Sequence, residues 1–301
     1  MTLRLGTRGS PLALAQAELT TVALSAAAPG LTVERVVIAT TGDRTAQEGA
    51  PADGQGIFVK EIEEALLART IDVAVHSLKD LPVEAPARLV VAAVLPRADV
   101  RDAFCSRDGR TLDELEAGAV VATGSPRRVA QLRRLYPRLV YAPIRGNVNT
   151  RLRKIRDGEA AGTILARAGL VRLGLEAAVT EVLSLETCLP APGQGAVGLE
   201  ARADDPGTLA LLEKIHDAAT GRAVTAERAL LAALGGGCRT PIAAYAAADG
   251  PRLRLLAFVG EAAGVRFVQG VQEGAPEDPV GLGRRLGERL LASGAAELIG
   301  L

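Results

Sequence analysis

Short apolar runs alternate with amphipathic stretches of helical period through most of the chain. Parallel strands need a long crossover between them, usually a helix, so this alternation commits the chain to an α/β architecture with mainly parallel sheets. The runs at 3–7, 33–39, 71–76, 89–95, 119–123 and 163–166 read as strands, and the stretches 11–27, 57–69, 126–136, 148–156 and 225–234 as helices. An internal echo sharpens the reading: Gly6-Thr7-Arg8-Gly9-Ser10-Pro11-Leu12-Ala13-Leu14-Ala15-Gln16 resembles Ala122-Thr123-Gly124-Ser125-Pro126-Arg127-Arg128-Val129-Ala130-Gln131. In both, a strand ends in Thr, Ser stands where an N-cap belongs, Pro occupies the first helical turn and Arg is close by. Two lobes built on a similar plan are expected. Each Ser-Pro helix start is either a cradle for an anion, since a helix N-terminus offers unpaired N–H groups and partial positive charge, or simply a well-capped helix.

At 301 residues the chain is long enough for two or three compact units. Leu189-Pro190-Ala191-Pro192-Gly193 breaks the second strand and helix series and reads as a crossover back to the first lobe. From about residue 218 the pattern changes to a helix, a glycine loop, strands at 242–248, 253–260 and 265–270, and a last helix ending near 292, which is a small α+β unit. The expected domains are therefore 1–95 with 196–215, 96–195, and 216–301.

Charge and composition exclude several function classes. Thirty-five basic residues balance thirty-five acidic ones, and aromatic residues are only 2% with no Trp, so neither the field nor the stacking platforms of a nucleic-acid binder are present. Among the basic residues only Lys60, Lys79, Lys154 and Lys214 are lysines. Coding bias explains much of that, yet Arg at chosen positions suits bidentate carboxylate binding. Cys105, Cys188 and Cys238 are widely spaced and accompanied by two histidines, which argues against a disulfide framework and against a metal site. With no long apolar run at the start and no stretch of about eighteen apolar residues elsewhere, a reducing, cytoplasmic setting without membrane contact is expected.

Several segments hold the residue types that do chemistry. Val75-His76-Ser77-Leu78-Lys79-Asp80-Leu81-Pro82 follows an apolar strand and collects polar groups at the edge where open α/β sheets bind ligands, although Asp80 taken alone reads equally as a turn residue. Gly235-Gly236-Gly237-Cys238-Arg239 sets a thiol on a loop almost bare of side chains, with Arg239 favouring the thiolate; a small buried residue at a strand start is the competing reading. Arg145-Gly146-Asn147-Val148-Asn149-Thr150-Arg151 starts a helix capped by Asn147, Arg127-Arg128 lies at another helix start, and Arg172 follows Ala168-Gly169-Leu170-Val171. Cations near helix N-termini repel the dipole unless an anion joins them. Gly193-Gln194-Gly195-Ala196-Val197-Gly198 fits a dinucleotide fingerprint by letter only, because it follows prolines and runs into a strand-like segment. Cys105 and Cys188 lack the setting of Cys238 and read as structural.

Taken in order, Thr7 to Leu14, Phe58-Val59-Lys60-Glu61, Val75 to Pro82, Arg127-Arg128, Arg145 to Arg151, Leu170 to Gly174, Gly193 to Gly198 and Gly236-Gly237-Cys238 resemble the porphobilinogen deaminase family over nearly the whole chain. The resemblance implies two doubly wound α/β lobes like those of type II periplasmic binding proteins plus a small α+β C-terminal domain. It implies a dipyrromethane cofactor joined to Cys238 by a thioether, and a catalytic role for Asp80 as porphobilinogen loses ammonia. It further implies that Lys79, Ser77, Thr123, Ser125, Arg127, Arg128 and Arg151 hold the cofactor with Asp80. Substrate would meet Arg8, Ser10, Arg145, Arg151, Arg172 and Gln194. The glycine-rich stretch 49–56 would form a lid, with Pro51 and Gln55 where family members often carry lysines, and Gly124 stands where serine is frequent. A monomer acting on the small molecule porphobilinogen is expected. The residues by themselves also accommodate a periplasmic-type anion receptor, which has no need of Cys238, or a cysteine-dependent transferase.

Overall fold

The structure is a computed structural model of the chain and describes residues 2–42, 59–84, 86–237, 240–261 and 263–300. The chain forms two compact units, Met1–Ala98 with Gly195–Gly221, and Asp99–Gln194 with Arg222–Leu301. In chain order the first unit holds β1 (Thr2–Arg8), α1 (Pro11–Ala27), β2 (Thr32–Ile38), α2 (Lys60–Leu67), β3 (Val73–Ser77), a short 3-10 turn (Leu78–Asp80) and β4 (Leu89–Val94). The second opens with β5 (Asp102–Ser106) and continues through β6 (Val120–Ala122), α3 (Pro126–Leu135), β7 (Val140–Ala142), α4 (Val148–Arg156), β8 (Gly162–Ala166), α5 (Arg167–Arg172) and β9 (Glu181–Val182). The chain then returns to the first unit for β10 (Val197–Arg202) and α6 (Pro206–Glu213). Helix α7 (Ala218–Ala233) leads into β11 (Ile242–Asp249), β12 (Arg252–Gly260), β13 (Phe267–Gly274), α8 (Pro279–Ala292) and α9 (Ala295–Ile299).

The two five-stranded sheets share one topology. Their orders are β2-β1-β3-β10-β4 and β7-β6-β8-β5-β9. In the first, β1 runs parallel to β2 and β3 while β10 is antiparallel to β3 and β4. In the second, β6 runs parallel to β7 and β8 while β5 is antiparallel to β8 and β9. Thus β1 corresponds to β6, β3 to β8, and the inserted antiparallel strand β10 to β5. The sequence echo falls at the same junction of each sheet, β1 into α1 and β6 into α3. Ser10 Oγ accepts from Ala13 N at 3.3 Å and Ser125 Oγ from Arg128 N at 3.4 Å, so both serines cap as expected.

Apolar side chains cover both faces of each sheet, which is what a doubly wound lobe requires. Leu3, Leu5, Leu24, Val73, Leu199 and Leu212 form one core of the first unit, and Ile62, Leu66 and Ile71 another. Phe104, Leu132 and Ile164 fill the second unit's sheet on one side, and Leu152, Leu165 and Leu170 lie in a separate cluster. The antiparallel sheet β11-β12-β13 has its own core with α7 and α8, built on Leu230, Leu255, Leu282 and Leu286. The fold class expected from the sequence is the one observed.

Several elements differ from the sequence reading. The strands β5, β7 and β9 and the helices α5 and α6 carry no sequence expectation, and β7 and β9 span only three and two residues. Strand β13 extends to Gly274 rather than 270, and α7 begins at Ala218 rather than 225. Strand β5 escapes detection for a chemical reason: its buried run opens with a carboxylate, Asp102, that is 0% exposed.

Asp102 is the ionic centre of the second unit. It accepts from Arg127 Nη2 at 2.8 Å, from Arg128 Nε at 3.1 Å and Nη2 at 2.7 Å, and from Gln194 Nε2 at 2.9 Å. Burial alone would push its carboxyl up, but the two guanidiniums outweigh that and hold it well below the usual carboxylate range. A depressed folded-state pKa contributes stability that is complete above the unfolded value of about 4 and lost only as pH falls through the folded value.

Two stability outcomes follow from this packing. Asp102→Asn leaves two buried cations short of their partner and is expected to lower unfolding free energy by about 3–5 kcal/mol. Urea titrations should find that deficit undiminished from pH 7 down to about pH 4. Gly283 lets α8 lie against α7, where an added Cβ would meet Ala226 O, come within 2.7 Å of Leu230 N and within 2.8 Å of Ala229 Cβ. Gly283→Ala should therefore cost about 1–3 kcal/mol in the same titration, overpacking outweighing the gain in helix propensity.

Candidate active site

The C-terminal ends of β1 and β3 meet at an open hollow lined by Arg8, Ser10, Gln16, His76, Ser77 and Asp80. Parallel strands aim their following loops at one sheet edge, so the Thr7 to Pro11 junction and the Ser77 to Asp80 turn converge there. Ser77 Oγ lies 2.8 Å from Nε2 and 3.1 Å from Oε1 of the buried Gln16, which ties β3 to α1. Leu78 is buried and donates its backbone N–H to Ala196 O at 3.1 Å, anchoring the turn from beneath. Lys79 is half-buried and Asp80 is exposed. The sequence-predicted residues Arg8, Ser10, Ser77 and Asp80 are thus brought together on one hollow. Gln16 carries no expected role from the sequence, where its one signal is that it closes the echoed stretch opposite Gln131.

In the second unit the loops after the parallel strands β6, β7 and β8 share the equivalent edge. After β6 come the buried Thr123, the cap Ser125 and then Arg127 and Arg128, only 4% and 5% exposed. After β7 come the exposed Arg145 and, in the first turns of α4, Arg151, whose Nε donates to Gly146 O at 2.8 Å. Asn147 caps that helix as expected, accepting from Thr150 N at 2.9 Å. Gly146 has φ of 110°, a left-handed conformation that suits glycine and lets the chain turn into α4. Arg172 closes α5 after β8, and burial pushes its guanidinium pKa down.

Arg127 and Arg128 lie inside the unit. Beyond Asp102, Arg127 donates to Leu189 O, and Arg128 Nη1 donates to Ile164 O at 2.8 Å. Two buried guanidiniums sharing one buried carboxylate leave an excess positive charge beside the N-terminus of α3. Gln194 is also wholly buried: its amide nitrogen donates to Val100 O at 2.7 Å and to Asp102. Gly193 and Gly195 flank it with φ of 76° and 87°, and the segment continues into β10, so the dinucleotide-like pattern here is a turn leading into a strand. Asp102, which organises this group, was missed in sequence; the only signal was an acidic residue heading the apolar run Ala103-Phe104-Cys105.

Cys105 and Cys188 are buried free thiols, each pushed up to about 12 by burial, in keeping with structural roles. Cys238 and the stretch 49–56 lie outside the described residues. Among the described residues no group of three or more His, Cys, Asp and Glu could hold a metal ion, and no helix is long and apolar enough to cross a membrane.

Residues 3–210 match the family model described as porphobilinogen deaminase, dipyromethane cofactor binding domain, and residues 222–292 match porphobilinogen deaminase, C-terminal domain. A porphobilinogen deaminase of Roseiflexus sp. strain RS-1 is 48% identical over 299 residues, covering 99% of this chain and 98% of that protein. One of Acidithiobacillus ferrooxidans strain ATCC 53993 is 47% identical over 298 residues, covering 99% and 97%. Among solved structures, the methionine binding protein MetQ is similar at 16% identity over 71% of this chain and 88% of that one, with a TM-score of 0.45. Two matched family models spanning most of the sequence, with relatives near half identity across its full length, make this chain a member of the porphobilinogen deaminase family.

Proposed function

We propose that this chain condenses porphobilinogen head to tail on a dipyrromethane group carried by Cys238, releasing ammonia and finally the linear tetrapyrrole hydroxymethylbilane. The observation that carries the reading is the buried pair Arg127 and Arg128 with a single carboxylate between them. Such a site is short of one negative charge, and a cofactor or substrate bearing acetate and propionate groups supplies it. The residues present therefore fit an acidic ligand. Arg128 spends three of its five N–H groups on Asp102 and Ile164, which leaves two for that ligand.

Lys79, Ser77, Thr123, Ser125, Arg127, Arg128 and Arg151 hold the cofactor's polar groups on this reading, together with Asp80. Arg8, Ser10, Arg145 and Arg172 take those of the incoming ring. Gln194 serves from behind through Asp102. Bound through Cys238, the dipyrromethane group supplies the pyrrole carbon to which the first ring is added. Asp80 accepts hydrogen bonds from pyrrole N–H groups and stabilises the positive charge that develops on the substrate as ammonia leaves. An oriented carboxylate facing that charge is worth several kcal/mol in the barrier, about two or three powers of ten in rate. The fixed arginine and carboxylate pairs also restrict each ring to one approach. The reaction is read as cytoplasmic and carried out by a monomer; the balance of 35 basic against 35 acidic residues supports a small-molecule partner over nucleic acid.

Intact mass of the purified protein should exceed the sequence mass by two linked pyrrole units, and Cys238→Ser should lack that increment. A fully active protein of unmodified mass sinks the anchoring role. Asp80→Asn should keep the increment and lose roughly a hundred-fold or more of turnover, measured as ammonia release from porphobilinogen; normal release by this variant removes Asp80 from the mechanism.

A further inference from the structure

Strand β3 and its turn deliver His76 as well as Ser77 and Asp80, and His76 is not among the groups assigned to cofactor or substrate. Yet His76 lines the same hollow as Asp80. It is 6% exposed, with Nε2 3.2 Å from Oε2 of Glu200. Glu200 is 0% exposed, and its other oxygen, Oε1, has no hydrogen-bond partner among the described residues. Glu63 on α2 faces the pair: burial raises its carboxyl, the charge of Glu200 raises it further, and His76 draws it back. A buried carboxylate with one imidazole partner and an idle oxygen is a poor stabiliser, since desolvation costs several kcal/mol and an apolar pair of like volume serves the core as well or better. Stability does not account for this arrangement.

Its position does. Strand β10 runs antiparallel beside β3, with Gly198 opposite His76 and Val197 opposite Ser77. It grips the end of β3 at two further points, the Leu78 N to Ala196 O bond and the Leu78 side chain seated over Gly198, where an added Cβ would come within 2.8 Å of Leu78 Cδ1. The corresponding strand of the other sheet, β5, also carries a buried carboxylate, Asp102, and that one orients cationic side chains. We infer that His76 and Glu200 form a positioning pair in which Glu200 fixes the imidazole from inside the sheet, so that the hollow's wall and the Ser77 to Asp80 turn keep one geometry for catalysis. The inference rests on the reading of Asp80 as the catalytic carboxylate.

The test uses the protein with its covalent group in place. Glu200→Gln keeps the shape and removes the charge. It should retain the mass increment, unfold in urea at the parent's midpoint or higher, and lower kcat about ten-fold with KM for porphobilinogen changed less than about two-fold. His76→Gln should match it, and the double variant should be no slower than either single one, because the two act as a unit. The inference is overturned if Glu200→Gln fails to fold or loses its midpoint in proportion to its activity, if kcat stays within about two-fold of the parent, or if the two losses multiply. Asp80→Asn assayed alongside separates the two readings: turnover retained there defeats the role of Asp80, whereas turnover lost there but kept in Glu200→Gln defeats only the positioning pair.

Discussion

A single carboxylate at the head of β5 governs how the second unit is built. Asp102 lies on an inner strand of its sheet and is fully buried, and a buried carboxylate persists as an anion only when cations and donors surround it. Arg127 and Arg128 meet that need, and so are turned inward from the first turn of α3 rather than left in solvent. Gln194 adds a further donor, and Glu227 accepts from Gly193 N at 2.7 Å and from Ala246 N at 2.8 Å. The crossover segment is thereby fastened at one point to the sheet and at another to the C-terminal strands. The geometry that satisfies Asp102 also brings together two guanidiniums whose combined charge it only half neutralises.

The same design recurs in the first unit with different chemistry. Both sheets accept one antiparallel strand beside the third parallel strand, and in both that strand carries a fully buried acid. In the second unit the acid holds the two guanidiniums of Arg127 and Arg128. In the first, Glu200 holds one imidazole next to the hollow that contains Asp80. The same strand position thus carries a buried acid that pairs with guanidinium in one unit and with imidazole in the other. Ser10 and Ser125 cap the helices α1 and α3 in the same way.

Much of the frame was legible from residue order. The strand β1 and helix α1, the strand β6 and helix α3, and the cap of α4 by Asn147 all follow from period, Ser or Asn at the cap and Pro in the first turn, which are properties of a few neighbouring residues. The clustering of Arg8, Ser10, Ser77 and Asp80 was foreseeable too, because parallel strands direct their loops to one edge. Strands β5, β7 and β9 were not. Two are too short to show a period, and the third hides behind an acidic first residue that only distant arginines make tolerable.

What the sequence by itself determined is therefore local and chemical: the alternating elements, the repeated Ser-Pro junction, the arginine-rich helix starts, and the turn that ends in Asp80. Tertiary structure alone decided which of those charged groups face inward. Arg128 finds Asp102 across 26 residues, Gln194 finds it across 92, and His76 finds Glu200 across 124. No window of neighbouring residues contains such a pair. The cost of burying each charge is met by a partner that only the completed sheet brings within reach.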